Sequence, residues 1–124
     1  MTSLPVLVVD DSHTVGLFVS KLLQSLGYTD IDLAQDGEAA LEQLRSKHYG
    51  LILSDWEMLP MGGADFLKLL RQDTRNSKVP VILITSTTTR GASWLAGADA
   101  YLPKPFNEYD LDTAIKSVSR AGKN

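Results

Sequence analysis

The hydrophobic residues of the chain fall into two alternating kinds of stretch. Val6-Leu7-Val8-Val9, Leu51-Ile52-Leu53 and Val79 to Ile84 are short runs with no charged or hydroxyl residue inside them. Runs of this length, rich in β-branched residues and leucine, suit strands buried on both faces. Between them apolar residues return at helical spacing. They are Val15, Phe18, Val19, Leu22, Leu23 and Leu26, then Ala40, Leu41 and Leu44, then Phe66, Leu67, Leu69 and Leu70, and finally Leu111, Ala114, Ile115 and Val118. The residues at the joints agree. Ser12 or Asp11 can cap the first helix by accepting from free N–H groups of its first turn. Gly27 stands where a C′ glycine ends it. Asp36-Gly37 opens the second helix, and Pro80 sits near a strand start, where proline is tolerated. Ile31 to Ala34 alternates in polarity and reads as a short strand near an edge. Tyr101-Leu102 reads as a short last strand.

Strand and helix alternate five times with short connections. This predicts an α/β fold, a doubly wound parallel five-stranded sheet with right-handed crossovers and helices on both faces. A length of 124 residues suits one domain spanning residues 1–124, and no internal repeat or linker interrupts it. One segment fits the alternation poorly. Thr87-Thr88-Thr89-Arg90-Gly91-Ala92-Ser93-Trp94 holds three β-branched residues and a glycine, which are weak helix formers. The fourth helix, expected across residues 87–96, is therefore predicted to be shortened, irregular or replaced by a loop.

In open α/β sheets ligands bind outside the carboxyl ends of the strands. The residues at those ends are Asp10 and Asp11 after the first run, Asp55 after the third, Thr85 and Ser86 after the fourth, and Lys104 after the fifth. Parallel strands bring them to one edge. Three carboxylates there repel one another, and a divalent cation offsets that repulsion. Mg²⁺ suits the set, since it takes oxygen ligands, keeps several waters and commonly binds one or two carboxylates plus phosphate oxygens. The chain has no cysteine, and His13 and His48 lie far apart in sequence, so zinc has no ligand set. Lys104 offers a positive charge on a flexible stem for a phosphate oxygen, and Thr85 and Ser86 offer hydroxyl donors. These are the parts of phosphoryl transfer by positioning and charge neutralisation. Asp55 would be the nucleophile, giving an aspartyl phosphate.

Composition narrows the alternatives. Without cysteine there is no disulfide framework. A net charge of −3 and no run of Lys or Arg give nucleic-acid binding little support. No apolar run approaches a membrane span, and MTSLPVLVVDD lacks the basic start of a signal peptide. A cytoplasmic protein with no membrane or nucleic-acid partner is expected.

Asp10-Asp11-Ser12, Ser54-Asp55-Trp56, Ile84-Thr85-Ser86 and Tyr101-Leu102-Pro103-Lys104-Pro105-Phe106 resemble the receiver domains of two-component response regulators, most nearly CheY-like single-domain receivers. The likeness covers essentially the whole chain. It implies the flavodoxin-like (βα)5 sheet of order 2-1-3-4-5, for which CheY itself is a reference case, with no output domain. It also implies that a sensor histidine kinase or phosphotransfer protein phosphorylates Asp55. Asp10, Asp11, Asp55 and the backbone carbonyl of Glu57 would hold Mg²⁺. Lys104, Thr85 and Ser86 would contact the phosphoryl group. Thr85 and Tyr101 would be the switch, with the Tyr101 ring swinging inward behind Thr85. The Lys104–Pro105 bond would be cis, which X–Pro bonds permit at about 0.5–1 kcal/mol. The product is a monomeric switch, not an enzyme beyond its own phosphoryl transfer and autodephosphorylation, that binds a downstream protein. In a chemotaxis-type reading that protein is the flagellar motor switch; in the alternative the chain is a phosphorelay or kinase-control intermediate.

Two features depart from the family pattern. Leu59 intervenes between Met58 and Pro60, and Glu57 adds a fourth acid at the mouth of the site, from which an altered phosphoryl lifetime is expected. Glu57 also keeps open a reading from another class, an Mg²⁺-dependent phosphohydrolase with an aspartyl nucleophile and an acid two residues on. A flavodoxin-type FMN carrier would need a hydroxyl- and glycine-rich loop where this chain has Asp10-Asp11. Trp56 reads as a pocket wall. Arg71, Arg75 and Lys78 read as a solvated face.

Overall fold

The computed structural model describes residues 4–57, 61–85 and 98–122. Five strands, β1 (Val6–Val9), β2 (Ile31–Ala34), β3 (Leu51–Asp55), β4 (Val81–Thr85) and β5 (Ala100–Pro103), form one sheet in the order β2-β1-β3-β4-β5. Every pairing is parallel, as in Val8 with Leu33, Val8 with Leu53, Ser54 with Leu83 and Ile84 with Leu102. The helices among the described residues are α1 (His13–Ser25), α2 (Gly37–Ser46), α3 (Gly63–Gln72) and α4 (Glu108–Gly122). The flavodoxin-like order is the expected one. The prediction of an irregular segment at 87–96 lies outside the described residues, as do Ser86 and Trp94.

The uninterrupted apolar runs follow from burial on both faces. Successive strand residues point to opposite sides. Leu7, Val9, Ile52, Val81 and Leu83 meet Ala40 and Leu44 of α2 and Phe66, Leu67 and Leu70 of α3. Val6, Val8, Leu51, Leu53, Ile82 and Ile84 meet Val19 and Leu23 of α1 and Leu111, Ala114, Ile115 and Val118 of α4. Each fully buried side chain of this size contributes about 1.5–3 kcal/mol relative to exposure.

Four details differ from the sequence reading. Phe18 is half exposed, set against Phe106 with ring centroids 6.1 Å apart, and Leu69 is also exposed. Helical spacing alone placed both in the apolar face, at its margins. The fourth strand begins at Val81, not Val79, because Pro80 has no N–H to add to the ladder; its carbonyl still accepts from Ile52 at 3.0 Å. Arg71 is not simply solvated. Its guanidinium donates to the Ser77 and Val79 carbonyls and to Asp99, which also accepts from the Val81 N–H. That clip ties α3 to the starts of β4 and β5. Gly27 behaves as predicted, closing α1 with φ 102° in the left-handed region that glycine tolerates best.

Candidate phosphoryl and metal site

The site begins where the apolar runs stop. Asp10 follows β1 and stays attached to the sheet through its N–H, 3.0 Å from the Ala34 carbonyl. Its Oδ1 accepts the Ser12 N–H at 2.8 Å, and Ser12 in turn caps α1 by accepting from Val15. The chain thus turns from strand to helix over three residues, leaving Asp10 buried and Asp11 exposed between the two caps. Asp55 is the last residue of β3, in register with Ile84 and only 4% exposed. The Trp56 N–H extends that ladder to the Ile84 carbonyl at 2.8 Å. Thr85 ends β4, buried, and its carbonyl accepts from the Lys104 N–H at 2.8 Å.

These strand ends meet. One carboxylate oxygen each from Asp10, Asp11 and Asp55 lies within 4.8 Å of the others. Lys104 Nζ donates to Asp55 Oδ1 at 3.1 Å. The Lys104–Pro105 bond is cis, as expected. Glu57 is exposed just beyond Asp55, and its backbone N–H donates to the Asp55 carboxylate. Tyr101 is half-buried on β5 at the rim of the core cluster that Trp56 also flanks. It lines a groove of about 450 Å³ between β5 and α4, shared with Pro105, Tyr109 and Thr113. His13 and His48 are exposed and stand at no shared site.

The electrostatics show what the site lacks. Burial pushes the Asp55 carboxyl up, against the pull of Lys104 and of the Glu57 N–H, and Asp11 adds to the rise. Burial likewise raises Asp10, opposed by the Ser12 N–H, with Asp55 adding to the rise. Among the described residues, Lys104 supplies the ammonium set against these carboxylates. Asp10 Oδ2 is buried and has no hydrogen-bond partner among the described residues. An all-oxygen donor set with one buried oxygen left over fits a hard divalent cation. The residues can therefore hold a metal ion, with Asp10, Asp11 and Asp55 as its carboxylates.

A family model for the response regulator receiver domain matches residues 6–116. The chain belongs to that family. Among its relatives, the chemotaxis protein CheY of Pseudomonas aeruginosa is 34% identical over 91% of this chain and 94% of the relative. The solved structure of the chemotaxis response regulator CheY4 of Vibrio cholerae aligns with a TM-score of 0.86 at 32% identity, covering 94% of this chain and 99% of that one. The response regulator TrrA of Thermotoga maritima, solved in complex with Mg²⁺-BeF, aligns with a TM-score of 0.81 at 33% identity, covering 92% and 97%. This receiver is thus CheY-like. Among its described residues, no helix is long and apolar enough to cross a membrane.

Proposed function

We propose that this receiver is a chemotaxis-type phosphorylation switch, with Asp55 as its phosphoacceptor. The observation that carries the reading is the buried Asp55 carboxylate, paired with Lys104 and set beside Asp10 and Asp11. A carboxylate oxygen of Asp55 attacks the phosphorus of a phosphohistidine on a kinase or phosphotransfer protein. A P–O bond forms, the P–N bond breaks, and the histidine nitrogen leaves with its electron pair and takes up a proton. Lys104 then serves the phosphoryl oxygens, and the Thr85 hydroxyl donates to them. Water attack on phosphorus later releases inorganic phosphate and restores the carboxylate. Mg²⁺, held by Asp10, Asp11, Asp55 and the Glu57 carbonyl, supplies charge neutralisation on the phosphoryl oxygens when bound.

Phosphorylation adds about −1.5 to −2 charges at neutral pH. Thr85 moves toward them and the Tyr101 ring follows inward, reshaping the groove between β5 and α4 where a downstream protein binds. The chain works as a cytoplasmic monomer and turns over only its own phosphoryl group. The relatives named for chemotaxis favour the flagellar motor switch as target over a phosphorelay partner.

Trp56, beside Asp55, gives the test. Its fluorescence should change saturably with Mg²⁺, and the change should be lost or strongly weakened in Asp10→Asn. In pull-downs the beryllofluoride-loaded protein should retain motor-switch protein and not a histidine phosphotransfer domain. The reverse preference would reassign it to a relay. Sustained hydrolysis of an external phosphate ester would instead favour the phosphohydrolase reading of Glu57.

A further inference from the structure

The topology that gathers the strand ends around Asp55 also gathers the strand starts at the opposite edge of the sheet. There the connection from α2 into β3 lies beside the connection from α3 into β4, because β3 and β4 are parallel neighbours. The two connections enclose a cavity of about 420 Å³, in the size range of small-molecule sites. His48 lines it from the first connection. Thr74, Arg75, Asn76, Ser77 and Lys78 line it from the second. No Asp or Glu lines it, in a chain whose net charge is −3.

The acceptors of the second connection are already occupied. Asp73, the acid beside the cavity, accepts the Arg75 N–H at 3.0 Å and the Asn76 side-chain amide at 3.1 Å. The Ser77 and Val79 carbonyls accept from the Arg71 guanidinium at 3.2 Å and 2.7 Å. The Thr74 carbonyl accepts from the Ser77 hydroxyl at 3.4 Å, and the Asn76 carbonyl from the Val79 N–H at 3.3 Å. Asn76 is only 3% exposed, which makes this turn a fixed wall.

The cations are not occupied. Arg45, Lys47, Arg71, Lys104 and Lys116 each pair with a carboxylate. Arg75, Lys78 and His48 are exposed and form no ion pair among the described residues. Cations do gather at helix C-termini, but that attraction falls off within the last turn. Lys78 lies well beyond Gln72, where α3 ends.

We propose that this cavity binds a small phosphate-bearing anion, with Arg75 and Lys78 as its charged contacts and His48 and Thr74 as further polar ones. Arginine offers a planar fork that matches two phosphate oxygens, and lysine a point charge. The site stands at the other edge of the sheet from Asp55, so the inference does not rest on the phosphoacceptor reading.

The test is an NMR titration of the metal-free protein at constant pH and ionic strength, with inorganic pyrophosphate and, separately, adenosine 5′-monophosphate. Saturable amide shifts are expected at Gly50, Arg75, Ser77 and Lys78, while Trp56 and Glu57 stay unmoved. Tighter binding of pyrophosphate assigns the site to inorganic phosphates, and tighter binding of the nucleotide assigns it to phosphate esters. Arg75→Ala and Lys78→Ala should each weaken binding severalfold, and the double variant on the order of tenfold, as charged contacts near a surface do. Both side chains are exposed, so the variants keep the fold. Lys21→Ala, which removes another exposed cation on α1, should leave the affinity unchanged. Shifts that do not saturate, that centre on Trp56 and Glu57, or that persist in the double variant would overturn the proposal, as would an equal loss in Lys21→Ala.

Discussion

Asp55, Asp10 and Lys104 share one physical property that made them legible in the sequence: each ends an apolar run. In a parallel sheet that fixes a side chain at the edge where ligands bind. Their partners were harder to read. The Ser12 N–H on Asp10 and the Arg71 clip on Asp99 depend on loop geometry and on residues distant in sequence. Glycines show the same divide. Gly16 and Gly37 both sit in helices, but only one is pressed by a neighbour. Gly16→Ala should therefore stabilise the protein by about 0.5–1 kcal/mol, raising the thermal midpoint by a few degrees. A lowered midpoint in differential scanning calorimetry would mean that Leu33 cannot accommodate the methyl group.

Among the elements, β2 is the one most in need of support. It lies at a sheet edge, and its residues are only partly buried until Ala34. Alternating polarity announced that edge in the sequence, but not what secures it. Lys47 bridges Asp30 at 2.8 Å and Asp32 at 2.9 Å, the Tyr49 hydroxyl donates to Asp32 at 2.6 Å, and Gln43 donates to the Leu33 carbonyl. A charged edge also discourages pairing with a second sheet. The Tyr49 hydroxyl first, and Lys47 next, hold the Asp32 carboxyl below its usual range. A depressed carboxyl contributes stability above its unfolded value, near pH 3.9, and loses it as pH falls through the folded value. The Asp30 bond first, and the Asp32 bond next, raise Lys47, while burial and then the Asp32 bond raise Tyr49, so those contributions hold below about pH 10 and fade above it. Asp32→Asn should be less stable than wild type at pH 7, with the gap narrowing below about pH 4. Urea midpoints measured from pH 7 to pH 2.5 check this, and a gap of constant size would contradict it. Tyr49→Phe should cost about 1–2 kcal/mol, since the buried ring keeps its packing and loses one bond to a partly exposed carboxylate.

At the scale of the molecule, one sheet joins two apolar clusters, so neither can dissolve without uncovering the other. Leu67→Ala on the α2/α3 side and Ile115→Ala on the α1/α4 side should each cost about 2–5 kcal/mol. Both should shift a single urea transition without changing its slope. Two separate transitions would show that the clusters unfold independently. Thr85 and Tyr101, the switch residues of the proposed function, sit on neighbouring strands of the sheet that both clusters share. The five-fold alternation of strand and helix was enough to predict a parallel sheet, and the family resemblance implied its order, which the structure shows. The margins of helix faces and the clips at strand starts required the packed structure, since periodicity carries no information about distant partners. The central claim is chemical, and intact mass spectrometry tests it most directly. After incubation with acetyl phosphate and Mg²⁺, the wild type should gain the mass of one phosphoryl group, and Asp55→Asn and a metal-free control should gain none. No adduct on the wild type, or an adduct that persists in Asp55→Asn, would contradict the assignment of Asp55 as the phosphoacceptor.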